Sequence, residues 1–166
     1  MDAVDLVLEA WQRERPDLDF WPVGVVGRVQ RLSRLLDQEI KTFAARHGLD
    51  QGEVDVLMTL RRAGEPFELS AGALLKTSMV TSGAITARID RMEAKSLVER
   101  VRDGNDRRSV RVRLTEHGNE VVDTLVGEHL ANEERLLRGL DRGELDQLAR
   151  SLRTLLESLG DRGVRL

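Results

Sequence analysis

Apolar residues recur every three or four positions over most of the chain, and this pattern predicts a mainly α-helical fold. The longest helix is expected to begin near Pro22 and to end at His47-Gly48, where glycine permits a left-handed cap. Asp50 and Glu53 have the spacing of a capping box at the start of the next helix. Other predicted helices follow residues that favour the N-cap position: Asp2, Ser70, Thr115 and Asp141.

One region has the period of a β-strand instead. From Ser109 to Leu114 apolar and polar residues alternate, as in a half-buried strand. A partner strand is expected over Leu97–Arg102, with a turn at Asp103–Asp106, and a helix over Ser78–Glu93 precedes this hairpin. Two short helices followed by a hairpin are typical of a winged helix-turn-helix. The predicted fold class is therefore mainly α with a small β-hairpin wing, flanked by N- and C-terminal dimerisation helices.

The helix over Ser78–Glu93 has the side-chain pattern of a DNA-recognition helix. Helical spacing places three apolar residues on one face: Ile85, Ile89 and Met92. Another face carries only small or hydroxylated residues, which suit close approach to a major groove: Ser82, Gly83 and Thr86. We expect these three to face the groove, with Ser78 and Arg91 contacting the DNA backbone beside them.

Positive charge is concentrated on the same part of the chain. The stretch Lys76–Arg113, here called the basic segment, contains ten basic and five acidic residues and has a net charge of +5, whereas the whole chain is at −3. A basic region on an acidic protein is typical of phosphate binding. Arg107 or Arg108, at the tip of the wing, is expected to enter the minor groove.

The chain ends are predicted to form a dimer interface. The last helix carries leucines close to a heptad spacing: Leu145, Leu148, Leu152, Leu155 and Leu159. Within one compact domain we expect an N-terminal region at 1–47, a DNA-binding region at 48–115 and C-terminal dimerisation helices at 116–166. A dimer would place two recognition helices about 34 Å apart, matching successive major grooves. The alternative is that these leucines fill an intramolecular helix bundle.

Signals for enzymatic chemistry are missing from the sequence. There is no cysteine, and His47, His117 and His129 lack partners at metal-ligand spacing. No nucleotide fingerprint or catalytic triad order is visible. We therefore expect neither an enzyme nor a bound metal or cofactor. No signal peptide or membrane span is predicted, so a cytoplasmic protein is expected.

The run SGAITARIDRMEAKSLVERVRDGNDRRSVRVRLTEHG resembles the recognition helix and wing of the multiple-antibiotic-resistance-regulator (MarR) family. Asp106-Arg107-Arg108 and the exit Leu114-Thr115 match the wing signature of that family. The opening LVLEAWQRERPDLDFWPVGVVGRVQRLSRLL resembles a narrower branch, the urate-responsive and pectinase-regulator-like repressors, which carry an extra N-terminal helix with a Trp. The resemblance covers nearly the whole chain.

This resemblance implies a ligand site formed by one Trp, one Asp and two Arg. The matching positions here are Trp11, Asp55, Arg88 and Arg100. Such a set suits a flat, anionic, nitrogen-bearing molecule such as urate, because Arg binds anionic oxygens and Asp accepts hydrogen bonds from ring N–H groups. A tricarboxylate such as trans-aconitate would leave Asp55 facing like charge. The alternative is a structural Asp55–Arg88 ion pair, with Trp11 as packing and Arg100 on phosphate.

Together these features predict a homodimeric transcription regulator, a repressor released from a pseudopalindromic operator by a small anionic ligand. Two other functions remain open. An architectural DNA-binding protein would keep the basic segment without needing the Trp–Asp–Arg–Arg set. A protein–protein module built on a winged helix would not bind DNA at all.

Overall fold

The computed structural model describes residues 1–77, 85–102 and 110–161. Within these ranges the chain forms α1 (Ala3–Glu14), α2 (Trp21–Arg46), α3 (Gln51–Arg62), β1 (Glu68–Ser70), α4 (Ala71–Thr77), α5 (Ile85–Ala94), β2 (Val98–Arg102), β3 (Val110–Leu114), α6 (Glu116–Leu136) and α7 (Arg142–Ser158). The predicted fold class, mainly helical with a small wing, is confirmed. None of the helices in the described ranges is long and apolar enough to cross a membrane.

The chain divides into two compact units, Met1–Thr42 and Phe43–Leu166. The division falls within α2, a few residues before the boundary expected at 47. The three-region organisation inferred from the sequence stays a prediction.

The first unit is a helical hairpin of α1 and the larger part of α2. Asp2 caps α1 as predicted and accepts a hydrogen bond from the backbone N–H of Val4 at 2.7 Å. Arg28 on α2 binds Asp2 at 2.9 Å and also contacts Asp5. Val4 is buried against Gly27, whose lack of a side chain lets the two helices approach closely.

The second unit holds the main hydrophobic core. Side chains from α3, α4, α5, β3 and α6 meet there, with large fully buried residues at Leu57, Leu60, Leu74, Met92 and Leu125. Ile89 is also buried and Ile85 packs against the cluster, so the apolar face predicted for the recognition helix is confirmed.

The sheet has three strands in the order β1-β3-β2, with both pairs antiparallel. The predicted hairpin is confirmed, although β2 begins one residue later than expected and the residue expected to begin β3, Ser109, lies outside the described residues. Val98 lies opposite Leu114 at one end of the hairpin, and Arg102 lies opposite Val110 at the other. The sequence did not predict β1, because its three residues are too few to show a strand period.

The predicted caps set the starts of the later helices. The hydroxyl of Thr115 accepts a hydrogen bond from the backbone N–H of Gly118 at 2.9 Å, and Asp141 forms a capping box with Glu144. Gly118 has a further role, because a Cβ there would collide with the backbone carbonyl of Leu97. The close approach of Gly118 to Leu97 holds the start of α6 beside the start of β2.

Candidate functional site

The candidate DNA-binding surface is centred on α5. Ile89 and Met92 on its inner face are buried, whereas Thr86 in its first turn is exposed, as a groove-facing residue requires. Its role in the groove stays a prediction. The other residues predicted to contact DNA from this region and from the wing tip lie outside the described residues: Ser78, Ser82, Gly83, Arg107 and Arg108.

An ion cluster joins α5 to the start of α3, here called the α3–α5 cluster: Asp50, Glu53, Arg88, Arg91 and Lys95. Arg91 binds Asp50 at 2.9 Å, and Lys95 binds Glu53 at 2.7 Å. The Nε of Arg88 lies 3.8 Å from Asp50 Oδ1. Arg88 and Arg91 lie on α5 and Lys95 directly follows its last residue; their spacing of i, i+3 and i+7 places them on one side of the helix. The cluster therefore fixes the position of α5 against α3.

Glu53 lies at the centre of the α3–α5 cluster. Its side chain is only 2% exposed, and Oε2 accepts hydrogen bonds from the backbone N–H of Asp50 at 2.9 Å and from Lys95. A buried carboxylate is costly unless it is paired and hydrogen-bonded. The capping box predicted at Asp50 and Glu53 is confirmed, but the pairing of both acids with α5 was missed. The capping spacing gave no indication of those partners.

Charge pairing also alters the acidity of Asp50. Partial burial raises the pKa of this carboxyl, but the backbone N–H of Glu53 and the guanidinium groups of Arg91 and Arg88 lower it by more, so the pKa lies below its ordinary value of 3.8. Asp50 therefore remains ionised at neutral pH and is available to both arginines.

Arg88 borders the core, and its side chain is 16% exposed. Its guanidinium group lies against Gly52, where an added Cβ would overlap it. The ion pair expected between Asp55 and Arg88 is replaced by one between Asp50 and Arg88. Asp55 follows Asp50 by five residues, so the two point about 140° apart around α3, given about 100° per residue. Asp55 itself is half-buried and engaged in an interaction.

Arg100 ties the wing to the opposite side of α5. Its guanidinium group binds Asp90 at 2.6 Å and also contacts Glu93, and its backbone N–H donates to Glu93 Oε1 at 3.0 Å. These residues are here called the α5–β2 cluster. Of the two arginines of the predicted ligand set, Arg88 thus lies on α5 and Arg100 binds α5, and each has an acidic partner in the same chain.

The remaining ion pairs of this region stabilise the sheet. Glu68 on β1 binds Arg111 at 3.0 Å and Arg113 at 2.8 Å, and Arg113 also lies 3.7 Å from Glu99. Two arginines of the basic segment thus pair with acids across the sheet.

Trp11, the fourth residue of the predicted ligand set, belongs to the first unit. Its ring stacks on Phe20, with centroids 5.2 Å apart and planes 17° apart, and the residue is 46% exposed. Trp11 also lines a cavity of about 290 Å³ together with Val7, Ala10 and Glu14. A ligand stacking on the tryptophan there would meet an apolar surface with one acidic neighbour.

Two of the three histidines pack against an aromatic ring and lie near glutamates. His47 and His129 pack against the ring of Phe43, with centroids 4.8 and 5.4 Å away, and they lie close to Glu128 and Glu133 respectively. Among the described residues no group of three or more His, Asp or Glu side chains is arranged to hold a metal ion.

Comparison with known proteins places this arrangement in a family. The sequence profile of the MarR family matches residues 47–109. The chain is 34% identical over 142 residues to the HTH-type transcriptional regulator PecS of Dickeya dadantii, covering 86% of each protein. Among solved structures, AbsC of Streptomyces coelicolor superposes with a TM-score of 0.75 at 25% identity, covering 86% of this chain and 96% of that one.

A DNA complex is among the similar structures. A mutant of MarR from E. coli, complexed with operator DNA, superposes with a TM-score of 0.68 at 26% identity, covering 84% of this chain and 99% of that one. The similar proteins are transcription regulators rather than enzymes, in agreement with the absence of catalytic motifs from the sequence. By the extent of its match to PecS and the family profile, the chain belongs to the MarR family of winged-helix transcription regulators.

Proposed function

We propose that this protein is a homodimeric repressor, acting in the cytoplasm, that a small anionic ligand releases from a pseudopalindromic operator. The observation that supports a ligand response is that carboxylates of the same chain lie close to Arg88 and Arg100. Arg88 lies on the recognition helix α5 near Asp50 at the start of α3, and Arg100 binds Asp90 and Glu93 of α5. An incoming anion competes with these carboxylates, so its binding changes the restraints on α5.

The competition has a defined structural consequence. In the free protein the α3–α5 cluster fixes one side of α5 and the α5–β2 cluster fixes the other. A ligand anion that pairs with Arg88 weakens its contact with Asp50, and one that pairs with Arg100 weakens the contacts with Asp90 and Glu93, so binding at either arginine unbalances the restraints on α5. A displacement of α5 by one or two ångströms then misaligns both half-sites of a dimer. Coupling of about 1–3 kcal/mol is typical of such switches.

Urate is the ligand we favour, and trans-aconitate is the alternative. Urate offers anionic oxygen to the arginines and N–H groups to a carboxylate such as that of Asp55. A tricarboxylate uses the arginines alone, and it adds negative charge where Asp50, Asp55 and Asp90 already supply it. The acidic surroundings of both arginines therefore favour a ligand that also donates hydrogen bonds.

Exposed apolar side chains support the homodimer. Helix α7 buries none of its residues within the chain, and Leu155, Leu156 and Leu159 are all exposed. On α2, Trp21, Val25 and several following apolar residues are exposed as well. Apolar surface of this extent is typical of an association interface.

The test measures DNA affinity by fluorescence anisotropy, using a duplex that the wild-type protein selects from a randomised pool. Urate is expected to lower the affinity about 5- to 150-fold, the range that corresponds to the coupling above. Hypoxanthine, which is flat and nitrogen-bearing but uncharged at neutral pH, serves as the matched control and is expected to have no effect. Displacement by trans-aconitate but not by urate would establish the alternative ligand.

Two variants test the competition itself. Arg88→Gln is expected to remove the urate response. Asp50→Asn keeps an N-capping side chain but removes the charge that holds Arg88, so urate is expected to bind more tightly to it. If neither urate nor trans-aconitate alters DNA binding, the ligand site is excluded and the alternative of an architectural DNA-binding protein is favoured. If the wild type retains no duplex, the protein–protein module is favoured.

A further inference from the structure

The net charge of the basic segment overstates the charge available to DNA. The structure describes eight of its ten basic residues, and six of these lie within 4.0 Å of carboxylates of the same chain: Arg88, Arg91, Lys95, Arg100, Arg111 and Arg113. The partners are also six in number: Asp50, Glu53, Glu68, Asp90, Glu93 and Glu99. The six cations and six anions cancel, so these ion pairs hold α5 and the sheet in place and contribute no surplus charge.

Two described basic residues of the segment have no such partner. Lys76 and Arg102 are exposed, and no carboxylate of the described residues lies within 4.0 Å of either. Lys76 lies in the last turn of α4, which packs against α3, α5 and β1. Arg102 is the last residue of β2, at the end of the hairpin where it lies opposite Val110. One residue therefore lies on the helix that precedes the recognition helix, and the other on the wing.

We propose that Lys76 and Arg102 are phosphate-binding residues that flank the recognition helix on the two sides where a winged helix meets the DNA backbone. The inference rests on the DNA-binding function proposed above. A cation held by a protein carboxylate gains less from a phosphate than an unpaired cation does, because it must give up an existing partner. An exposed cation that no carboxylate of the described residues holds can bind a phosphate, and so release a counterion from the DNA, without losing a protein partner. Arg91, predicted from the sequence as a backbone contact, is by this reasoning a positioning residue for α5.

Salt dependence distinguishes a phosphate contact from a general effect of charge. Each phosphate neutralised contributes about 0.9 to the slope of log affinity against log salt concentration. A dimer presents each residue twice, so Lys76→Gln and Arg102→Gln are each expected to reduce that slope by about 1.8. The measurement uses the wild-type-selected duplex at several salt concentrations between about 50 and 200 mM.

Arg113→Gln is the matched control, because it removes the same charge from β3 of the same sheet. Glu68 keeps Arg111 as a partner in that variant, so folding is expected to survive and the slope to remain at the wild-type value. Thermal unfolding confirms that all three variants are folded. Slopes for Lys76→Gln and Arg102→Gln that equal the Arg113→Gln slope would overturn the inference. A wild-type protein without salt-dependent binding would instead contradict the proposed function.

Discussion

At the scale of single residues, Arg88 shows what helical periodicity can and cannot predict. Its place beside the apolar stripe of α5 follows from its angle on the helix, and the structure confirms that it borders the core. Its acidic partner does not follow from that angle, because Asp50 lies at the start of another helix. The guanidinium group fits only because Gly52 has no side chain. No pattern in the sequence points to this role of Gly52.

Replacing Gly52 with Ala tests whether Arg88 must occupy that place. Alanine favours a helix interior over glycine by about 1 kcal/mol, but the new Cβ overlaps the guanidinium group. Because the overlapped atoms end a flexible side chain, we expect Gly52→Ala to fold and to displace Arg88. The urate response should weaken at least tenfold while DNA binding without ligand persists, as measured by anisotropy.

Gly127→Ala provides the control for that substitution. Gly127 lies within α6, and nothing lies within 4 Å of a Cβ added there. This variant is expected to gain up to about 1 kcal/mol in the free energy of unfolding and to keep the wild-type ligand response. An unchanged response in Gly52→Ala would show that the position of Arg88 over Gly52 is irrelevant to the ligand.

At the scale of elements, the sequence predicts those features that depend only on residues close together in the chain. The N-caps at Asp2, Asp50, Thr115 and Asp141 require only nearby residues, and all four are confirmed. Short strand β1 and the ion pairs of α5 depend on partners distant in the chain, which no local pattern encodes. For the same reason a count of charges along the sequence overstates the positive charge available to DNA, because six of the eight described basic residues of the basic segment pair with acids.

The attachment of α5 to α3 is expected to weaken in acid. The pKa of Asp50 is lower in the folded protein than its ordinary value of 3.8, so its stabilising contribution is complete above that value. The contribution is lost as the pH falls below 3.8 towards the folded pKa. Urea unfolding between about pH 7 and pH 3 should therefore show a smaller loss of stability at the acidic end for Asp50→Asn than for the wild type.

Asp146→Asn is the control for this pH series, because it removes one exposed acid from α7 and leaves Asp50 intact. We expect its stability to follow the wild-type dependence on pH. Asparagine still caps α3, so a difference confined to Asp50→Asn reports the charge pairing and not the cap. Parallel curves for Asp50→Asn and the wild type would show that the pairing with Arg91 and Arg88 contributes nothing to stability.

At the scale of the whole molecule, burial distinguishes the wing region from the chain ends. On α2, Phe43 near the end of the helix is buried, while Val25 and Val29 remain exposed. The heptad-like leucines of α7 are likewise not buried. The sequence identified these apolar faces correctly, but a single chain does not show what covers them. A second copy of the chain is the partner we propose, because it would match the two-fold symmetry of the proposed operator.

Substituting two exposed leucines at the end of α7, Leu155 and the C-cap residue Leu159, tests the dimer directly. Leu159 is 77% exposed and Leu155 is 43% exposed, so replacing both with Glu costs little within one chain. In a dimer interface the same change buries two unpaired charges in each protomer, which strongly opposes association. We expect the Leu155→Glu/Leu159→Glu variant to sediment as a folded monomer and to bind the selected duplex far more weakly than the wild type. Ser151→Glu/Ser158→Glu adds the same charges to the same helix without removing leucines and should remain dimeric. A double-leucine variant that stays dimeric would exclude this face of α7 from the interface.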